Sequence, residues 1–312
     1  MTEPVPETFS DNAYNPDAPF TGAADVHAVV SRLFVYPIKS CAGVEVQEAI
    51  LTETGLEFDR AWMVVDADGN FLTQRELPRM ALIRPQLKHF DMILRAPGML
   101  ALHISLNEVE EPATVRLWDE EVKAYDMGAV AAQWFSDFLG VKARLVRFDP
   151  DQKRLSSLQW TGEVEAQNQF SDGYPVLLIS EESLSGLNAK LEAEHLGSVD
   201  MLRFRPNLVI GSSPAADMLA PHDEDRLEQV EIATPQGLVV FKPVKPCPRC
   251  PIPNVHPQTA EVTTTVNDML QRYRQDPRLK GAISFGMNLV MLQGNDCLLK
   301  VGQPVQGRYK FD

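Results

Sequence analysis

Two cysteines with cations on either side mark the stretch best suited to chemistry. It reads Lys245-Pro246-Cys247-Pro248-Arg249-Cys250, followed by Pro251-Ile252-Pro253-Asn254-Val255-His256-Pro257. Prolines at five of these positions oppose a regular helix, so a stiff, mostly extended loop is expected. Lys245 and Arg249 favour thiolate over thiol, and the thiolate is the form that binds soft metals or attacks electrophiles. The C-x-x-C spacing has three readings: half of a zinc site, a redox dithiol, or two small core residues. Structural zinc needs about four ligands. His256 offers a third, but beyond it only the isolated Cys41 and Cys297 remain. A thioredoxin-like dithiol belongs at the start of a helix in a βαβ unit, which the prolines oppose. A site built on a single thiolate is a further reading, and local chemistry alone leaves these open.

The elements that must position this loop are mainly strands. Alternating or continuous apolar runs predict strands over 28–36, 46–51 and 62–66. The last enters Ala67-Asp68-Gly69-Asn70, an Asp-Gly hairpin signal, with 71–75 returning from it. Short strands are expected near 81–85, 92–96, 101–105, 114–118 and 145–148. Between the last two, Val130, Trp134, Phe135, Phe138 and Leu139 repeat at helical spacing and Gly140 can stop the helix. In the second half, strands are expected over 176–179, 208–210, 230–233, 238–242, 288–292 and 298–301. Helices are expected over 183–191, capped by Ser180, and over 262–273. The fold class that follows is mostly β with a few helices (α+β), the many short strands suggesting a twisted sheet or partly closed barrel. Residues 1–25 read as a flexible tail. Domains are expected over 26–150 and 169–312, with a polar connection over 151–168.

Bulk composition narrows the function classes. Of 312 residues, 44% are hydrophobic and 23% charged, as in soluble globular proteins. A formal net charge of −14 opposes binding to a nucleic acid polymer, yet says little about the sign of one cleft. The N-terminus lacks the basic and apolar regions of a secretory leader, and no apolar run is long enough for a membrane helix. A cytoplasmic protein with no membrane association is expected, its four cysteines reduced.

Several stretches together resemble one family. Tyr36-Pro37-Ile38-Lys39-Ser40-Cys41 with Gly43, and Asp59-Arg60-Ala61-Trp62, look like its N-terminal β-barrel domain. Phe204-Arg205-Pro206-Asn207, the Cys247–Cys250 motif, Phe285-Gly286-Met287-Asn288 and Val301-Gly302-Gln303-Pro304 look like its C-terminal domain. The chain thus resembles the MOSC proteins, named for the C-terminal domain of molybdenum cofactor sulfurase, and among them the amidoxime-reducing branch. The resemblance spans about residues 28–306. It implies an N-terminal β-barrel-like domain followed by a MOSC β-barrel domain, with a molybdenum cofactor (Mo-molybdopterin) between them.

What the resemblance implies for single residues is specific. Cys250 matches the thiolate that binds the metal, and Asp172 an acidic residue near it. Lys39, Ser40, Arg60, Ser171, Arg205 and Asn207 match cofactor contacts, and Asn288 falls at a cofactor-lining position with a changed residue type. Arg75 is a weaker addition. Taken singly, Lys39, Arg60 and Arg205 read as surface charges, Asp172 as a turn residue and Asn207 as a strand-edge group; their joint placement in the family pattern reverses this. Pro251-Ile252-Pro253-Asn254 stands where the mitochondrial proteins carry a threonine pair. His256 stands where many relatives have Asp, and Gly173 and Tyr174 replace small hydroxyl residues.

The implied activity is reduction of small N-hydroxylated compounds. The alternative is a non-catalytic carrier of the cofactor or of sulfur. The family also carries an association with pyridoxal phosphate binding. Cys297 is the one cysteine after Cys250, and no G-x-G-x-x-G fingerprint is present. Electrons are therefore expected from a separate donor protein of ferredoxin, flavoprotein or cytochrome type.

Overall fold

A computed structural model describes residues 24–108, 111–212 and 219–310. The tail expected over 1–25 lies, as far as residue 23, outside the described residues, as does part of the acidic stretch after Gly211. In chain order the first strands are β1 (Val26–Val35), β2 (Val44–Val46), β3 (Glu48–Thr52), β4 (Gly55–Leu56) and β5 (Trp62–Val65). There follow β6 (Arg84–Leu87), β7 (Asp91–Arg95), β8 (Leu102–Ser105), β9 (Pro112–Leu117) and β10 (Glu120–Asp126). Helix α1 (Gly128–Leu139), β11 (Arg144–Phe148) and the single turn α2 (Leu158–Thr161) complete the first half. The second half contains β12 (Val176–Ser180), α3 (Glu181–Ala193), β13 (Leu208–Ser212), β14 (Leu227–Thr234) and β15 (Gly237–Pro248). It ends with α4 (Thr265–Tyr273), β16 (Ser284–Gln293), β17 (Leu298–Lys300) and β18 (Pro304–Tyr309).

Seven strands close into a barrel in the order β13-β12-β16-β15-β14-β18-β1, with β1 returning to β13. Closure removes the exposed edges of an open sheet. The strand that completes it comes from the other end of the sequence: Val30 faces Ile210 on one side, and Ala28 faces Val305 on the other. Val30, Leu33, Val230, Ile232, Phe241 and Leu289 fill the barrel core. Only β12 and β13 run parallel, and a parallel pair needs a crossover of a dozen or more residues. Helix α3 supplies it, starting where the Ser180 hydroxyl accepts the Ser183 N–H.

The other large assembly is the sheet β5-β11-β10-β9 with the separate meander β6-β7-β8. Helix α1 buries Trp134, Phe135 and Phe138 against them, and Gly140 ends it at φ 73°. Backbone hydrogen bonds tie this assembly to the barrel: Lys39, just after β1, donates its N–H to the Trp62 carbonyl of β5 at 2.8 Å, and Arg60 donates its N–H to the Tyr36 carbonyl at 2.8 Å. Strand β17 pairs with β3 in a separate small sheet.

Three departures from the sequence reading have local causes. The return strand expected over 71–75 is absent. The Asp66 carboxylate instead takes the N–H groups of Asp68 and Asn70, and Phe71 makes only an isolated bridge to Val65. Strand β10 escapes the apolar search because its burial alternates under a charged surface, with only Val122 and Ala124 buried. The cysteine stretch is a loop only in its second half. Strand β15 runs on to Pro248, and shifts in its register with β16 accommodate Pro246 and Pro248, which have no N–H to give.

Gly286 in β16 has φ 81°, and a Cβ there would lie 2.6 Å from the Leu178 carbonyl oxygen of the neighbouring strand. Gly98 has a similar φ of 77° with nothing within 4 Å. Gly286→Ala is therefore expected to destabilise the fold by about 2 kcal/mol or more, and Gly98→Ala by about 1 kcal/mol. Thermal melts of both variants separate the close-approach term from backbone strain alone.

Candidate functional site

A cavity of about 400 Å3 opens where the barrel meets the β5-β11-β10-β9 sheet. Chain turns deliver most of its walls. Lys39 and Ser40 follow β1, Arg60 precedes β5, Ser171 and Asp172 precede β12, and Arg205 and Asn207 precede β13. Cys247 and Cys250 come from the end of β15, and Asn288 from β16. The structure thus brings together all nine residues singled out from the sequence, Lys39, Ser40, Arg60, Ser171, Asp172, Arg205, Asn207, Cys250 and Asn288, and also Arg75. Strand register sets part of the wall: Asn288 pairs with Leu177 on one side and Lys245 on the other, and all three line the cavity. Four wall residues other than glycine have left-handed backbones: Ser40 (φ 65°), Arg60 (50°), Trp118 (56°) and Arg205 (59°). Such strain persists only where surrounding structure over-determines it.

The wall is strongly cationic in an acidic protein. Lys39, Arg60, Arg75, Arg205, Lys245 and Arg249 line it, against Asp172 as the one carboxylate among its described residues. Lys39 is buried; its ammonium donates to the Phe170 carbonyl at 2.9 Å and to the Asp172 carboxylate. Burial lowers the Lys39 pKa, and Asp172 opposes that shift. Burial pushes the Asp172 pKa upward, but Lys39, Arg75 and Arg60 together outweigh it and hold the carboxyl at about 2. That carboxylate still opens on the cavity, with 62% of its side chain exposed.

Both central guanidiniums lie over one ring. Those of Arg60 and Arg205 are 4.4 and 4.3 Å from the centroid of the fully buried Tyr36, a favourable cation–π arrangement. Arg60 also donates to Asp59, at 2.5 Å, and to Asn207 and the Arg205 carbonyl, both at 3.1 Å. Arg205 donates to the Cys41 carbonyl at 2.6 Å. Burial, and then the like charge of Arg60, lower the Arg205 pKa to about 10. Asn207 has both polar atoms engaged: its oxygen accepts from Arg60 and the Leu177 N–H, and its nitrogen donates to Phe34. In this geometry it joins β1 to β12 and positions Arg60.

The two thiols differ. Cys247 accepts a hydrogen bond from Arg249 at 3.1 Å and packs against the cluster containing Phe204 and Phe285. Burial raises its pKa, with Arg249 opposing, so the expected drive toward thiolate from flanking cations is outweighed at this position. Cys250 is half-buried in the cavity wall, its carbonyl held by Asn267 at 3.2 Å. Cys41 and Cys297 are buried elsewhere. Among the described residues no group of three His, Cys, Asp or Glu is placed to hold a metal ion, so the zinc reading lacks its ligand set.

Two residues that shape the wall carry no motif in the sequence, Arg154 behind it and Trp118 on it. Arg154, from the stretch taken as a connection, is buried and donates to the carbonyls of Gln169 (2.9 Å) and Ser171 (2.8 Å). Its other edge meets Glu120 at 2.9 Å. It therefore clamps the Ser171–Asp172 wall to the turn carrying Trp118. Lys245 lies over the rings of Trp160 and Tyr174, at 5.2 and 5.7 Å. The Arg249 Nε and the Tyr174 hydroxyl are buried without protein partners. Those two orphaned donors, the excess of cations and the two wall thiols, Cys247 and Cys250, form a donor set suited to an anionic ligand bearing a soft metal. No spacing motif marks Arg154 or Trp118; only their partners reveal them.

Two measurements follow from this geometry. Arg154→Met removes the donor to two loop carbonyls and is expected to destabilise the protein by about 3 kcal/mol, read in urea unfolding. The folded pKa of Asp172 lies below its ordinary value of about 3.9, so its stabilising effect is full above about pH 4 and is lost as pH falls through about 2. Asp172→Asn should be less stable than the parent at neutral pH, the difference shrinking as pH approaches 2. A constant difference across that range would remove the ion pair from the account.

Comparison with known proteins fits this architecture. Residues 27–142 match the MOSC N-terminal beta barrel domain, and residues 165–306 match the MOSC domain. Mitochondrial amidoxime reducing component 2 of Rattus norvegicus is 36% identical over 293 residues, covering 88% of this chain and 82% of that protein. Mitochondrial amidoxime-reducing component 1 of Mus musculus is 36% identical over 242 residues, 74% of this chain and 66% of the relative. Molybdenum cofactor sulfurase of Oryza sativa subsp. japonica is 31% identical over 307 residues, 92% of this chain but 35% of that longer protein. By both of its matched domains, the chain belongs to the MOSC family, together with the mitochondrial amidoxime-reducing components.

Proposed function

We propose that this protein is a molybdenum-cofactor-dependent oxidoreductase that reduces small N-hydroxylated compounds. The observation that carries the reading is the juxtaposition of Cys250 with the cationic cavity wall. The family's cofactor has an anionic phosphate, a polar pterin and a metal bound by sulfur, and each part finds a complementary group. Arg60 and Arg205 would take oxyanions in bidentate fashion, with Lys39 as a point charge. Ser40, Ser171 and the orphaned Arg249 Nε and Tyr174 hydroxyl supply hydrogen bonds to a heterocycle. Cys250 would ligate the metal. When bound, the cofactor supplies a two-electron centre able to accept oxygen.

The overall reaction converts an N–OH group to N–H. Two electrons and two protons are consumed, and the oxygen leaves as water. This chain's own residues orient and balance charge. Asp172 is an anion at neutral pH, so it accepts a hydrogen bond rather than supplying a proton from its own carboxyl. Lys39 keeps that anion fixed from behind. The Asn207–Arg60–Tyr36–Arg205 unit holds the two guanidiniums in register. Among the described residues no helix is long and apolar enough to cross a membrane. We place the electron supply in a separate donor protein, and the pure chain is not expected to turn over with NADH or NADPH.

The decisive test compares the two thiols. Protein loaded with molybdenum is given a reduced viologen dye and an N-hydroxylated test compound. Cys250→Ala is expected to fall to background while keeping its circular dichroism spectrum. Cys247→Ala should retain the metal and stay within about tenfold of the parent rate, since its thiol packs rather than ligates. Equal loss of metal in both variants would defeat the single-ligand assignment. Full cofactor binding without any N-reduction would instead favour a carrier.

A further inference from the structure

Behind Arg205 lies a second cavity of about 370 Å3, within the size range of small-molecule sites. It shares two wall residues with the thiol cavity, Arg205 and Ile252. Its charged lining is Arg84, Arg203 and Arg205, with no carboxylate among the described residues of its wall. Arg203 donates to the Pro253 carbonyl at 2.9 Å and Arg205 to the Cys41 carbonyl at 2.6 Å. Each keeps further N–H groups for a ligand. Arg84 is exposed on β6 and forms no ion pair among the described residues. Burial lowers the Arg203 pKa, with Asp200 and Glu261 opposing from outside the wall. An anion entering this half-enclosed space meets three guanidiniums and no carboxylate in its described wall.

We propose that this second cavity binds a small phosphate ester with an apolar body, as a site separate from the thiol cavity. The three guanidiniums come from different chain positions and offer more donors than a planar two-oxygen carboxylate can accept. A phosphate presents three terminal oxygens and matches guanidinium forks. The rest of the wall joins an apolar patch, Ala81, Pro85, Leu202, Ile252, Val255 and Pro257, to the amides of Gln74 and Gln258, and the apolar patch suits the organic part of an ester rather than the free ion. Because Arg205 serves both cavities, an occupant here also fixes the far side of a guanidinium that the first cavity uses.

The test reads binding, not reduction, so it stands or falls apart from the proposed activity. Phenyl phosphate and inorganic phosphate are titrated calorimetrically into the full-length protein at low ionic strength. Phenyl phosphate should bind more tightly than inorganic phosphate. Arg84→Ala with Arg203→Ala should weaken it by about tenfold or more, whereas Lys39→Ala, outside this cavity's wall, should change it by less than about threefold. Arg84→Ala alone alters only an exposed side chain, so it tests the site even if the double variant is destabilised; it should also weaken binding. Circular dichroism confirms the fold of each. The proposal is overturned if the parent does not bind phenyl phosphate. It is equally overturned if binding survives both Arg84 variants, or vanishes with Lys39→Ala instead.

Discussion

Concentrating like charge in one cavity is the constraint on which this structure depends. Six basic side chains face a shared space in a chain whose net charge is −14. Removing such groups from bulk water is unfavourable unless each finds compensation. The compensation is distributed: Asp172 and the Phe170 carbonyl for Lys39, Asp59 for Arg60, the Cys41 carbonyl for Arg205, the Phe204 carbonyl for Arg249. The Tyr36 ring serves two guanidiniums at once. Gly43 has no Cβ because that ring already occupies the space, with one ring carbon 2.4 Å from where a Cβ would sit. Charge, ring and glycine form one unit.

That unit spans chain segments far apart in sequence, so it requires the barrel to close as it does. Strand β1 supplies the link. It pairs with β13 and β18 of the barrel, then leads to the buried Tyr36 and to Lys39 and Ser40 on the cavity wall. Asn207 continues the connection on the other side, hydrogen-bonded to Phe34 across β1 and to Leu177 in β12. Loss of either contact would leave a buried amide without partners. The same groups that build the barrel seam therefore hold the cations, and fold and site are energetically coupled.

The cysteine pair shows how surroundings divide two chemically identical groups. Cys247 and Cys250 are three residues apart, with Arg249 between them. The guanidinium turns toward Cys247, and that half-buried thiol also packs against the cluster of Phe204 and Phe285. At Cys247 desolvation outweighs the neighbouring charge. Cys250, past the end of β15, shares the cavity wall with Cys247 but has no hydrogen bond from Arg249.

Much of the framework was legible in the sequence. Periodicity located α1 with its Gly140 stop, Ser180 marked the start of α3, and apolar runs marked β1, β5, β12 and β13. Motif resemblance selected nine residues that the fold brings to one cavity. Charge alternation hid β10, the Asp66 side chain replaced the expected strand after it, and β15 ran further into the proline stretch than proline chemistry suggests. Arg154, Trp118 and the Arg203–Arg84 cavity carry no signal along the chain. Local patterning fixes which segments become strands, because periodicity and turn chemistry act between near neighbours. Which cations share one cavity, and what compensates them, is settled only by tertiary structure, because partners such as Lys39 and Asp172 or Arg205 and Cys41 lie more than a hundred positions apart.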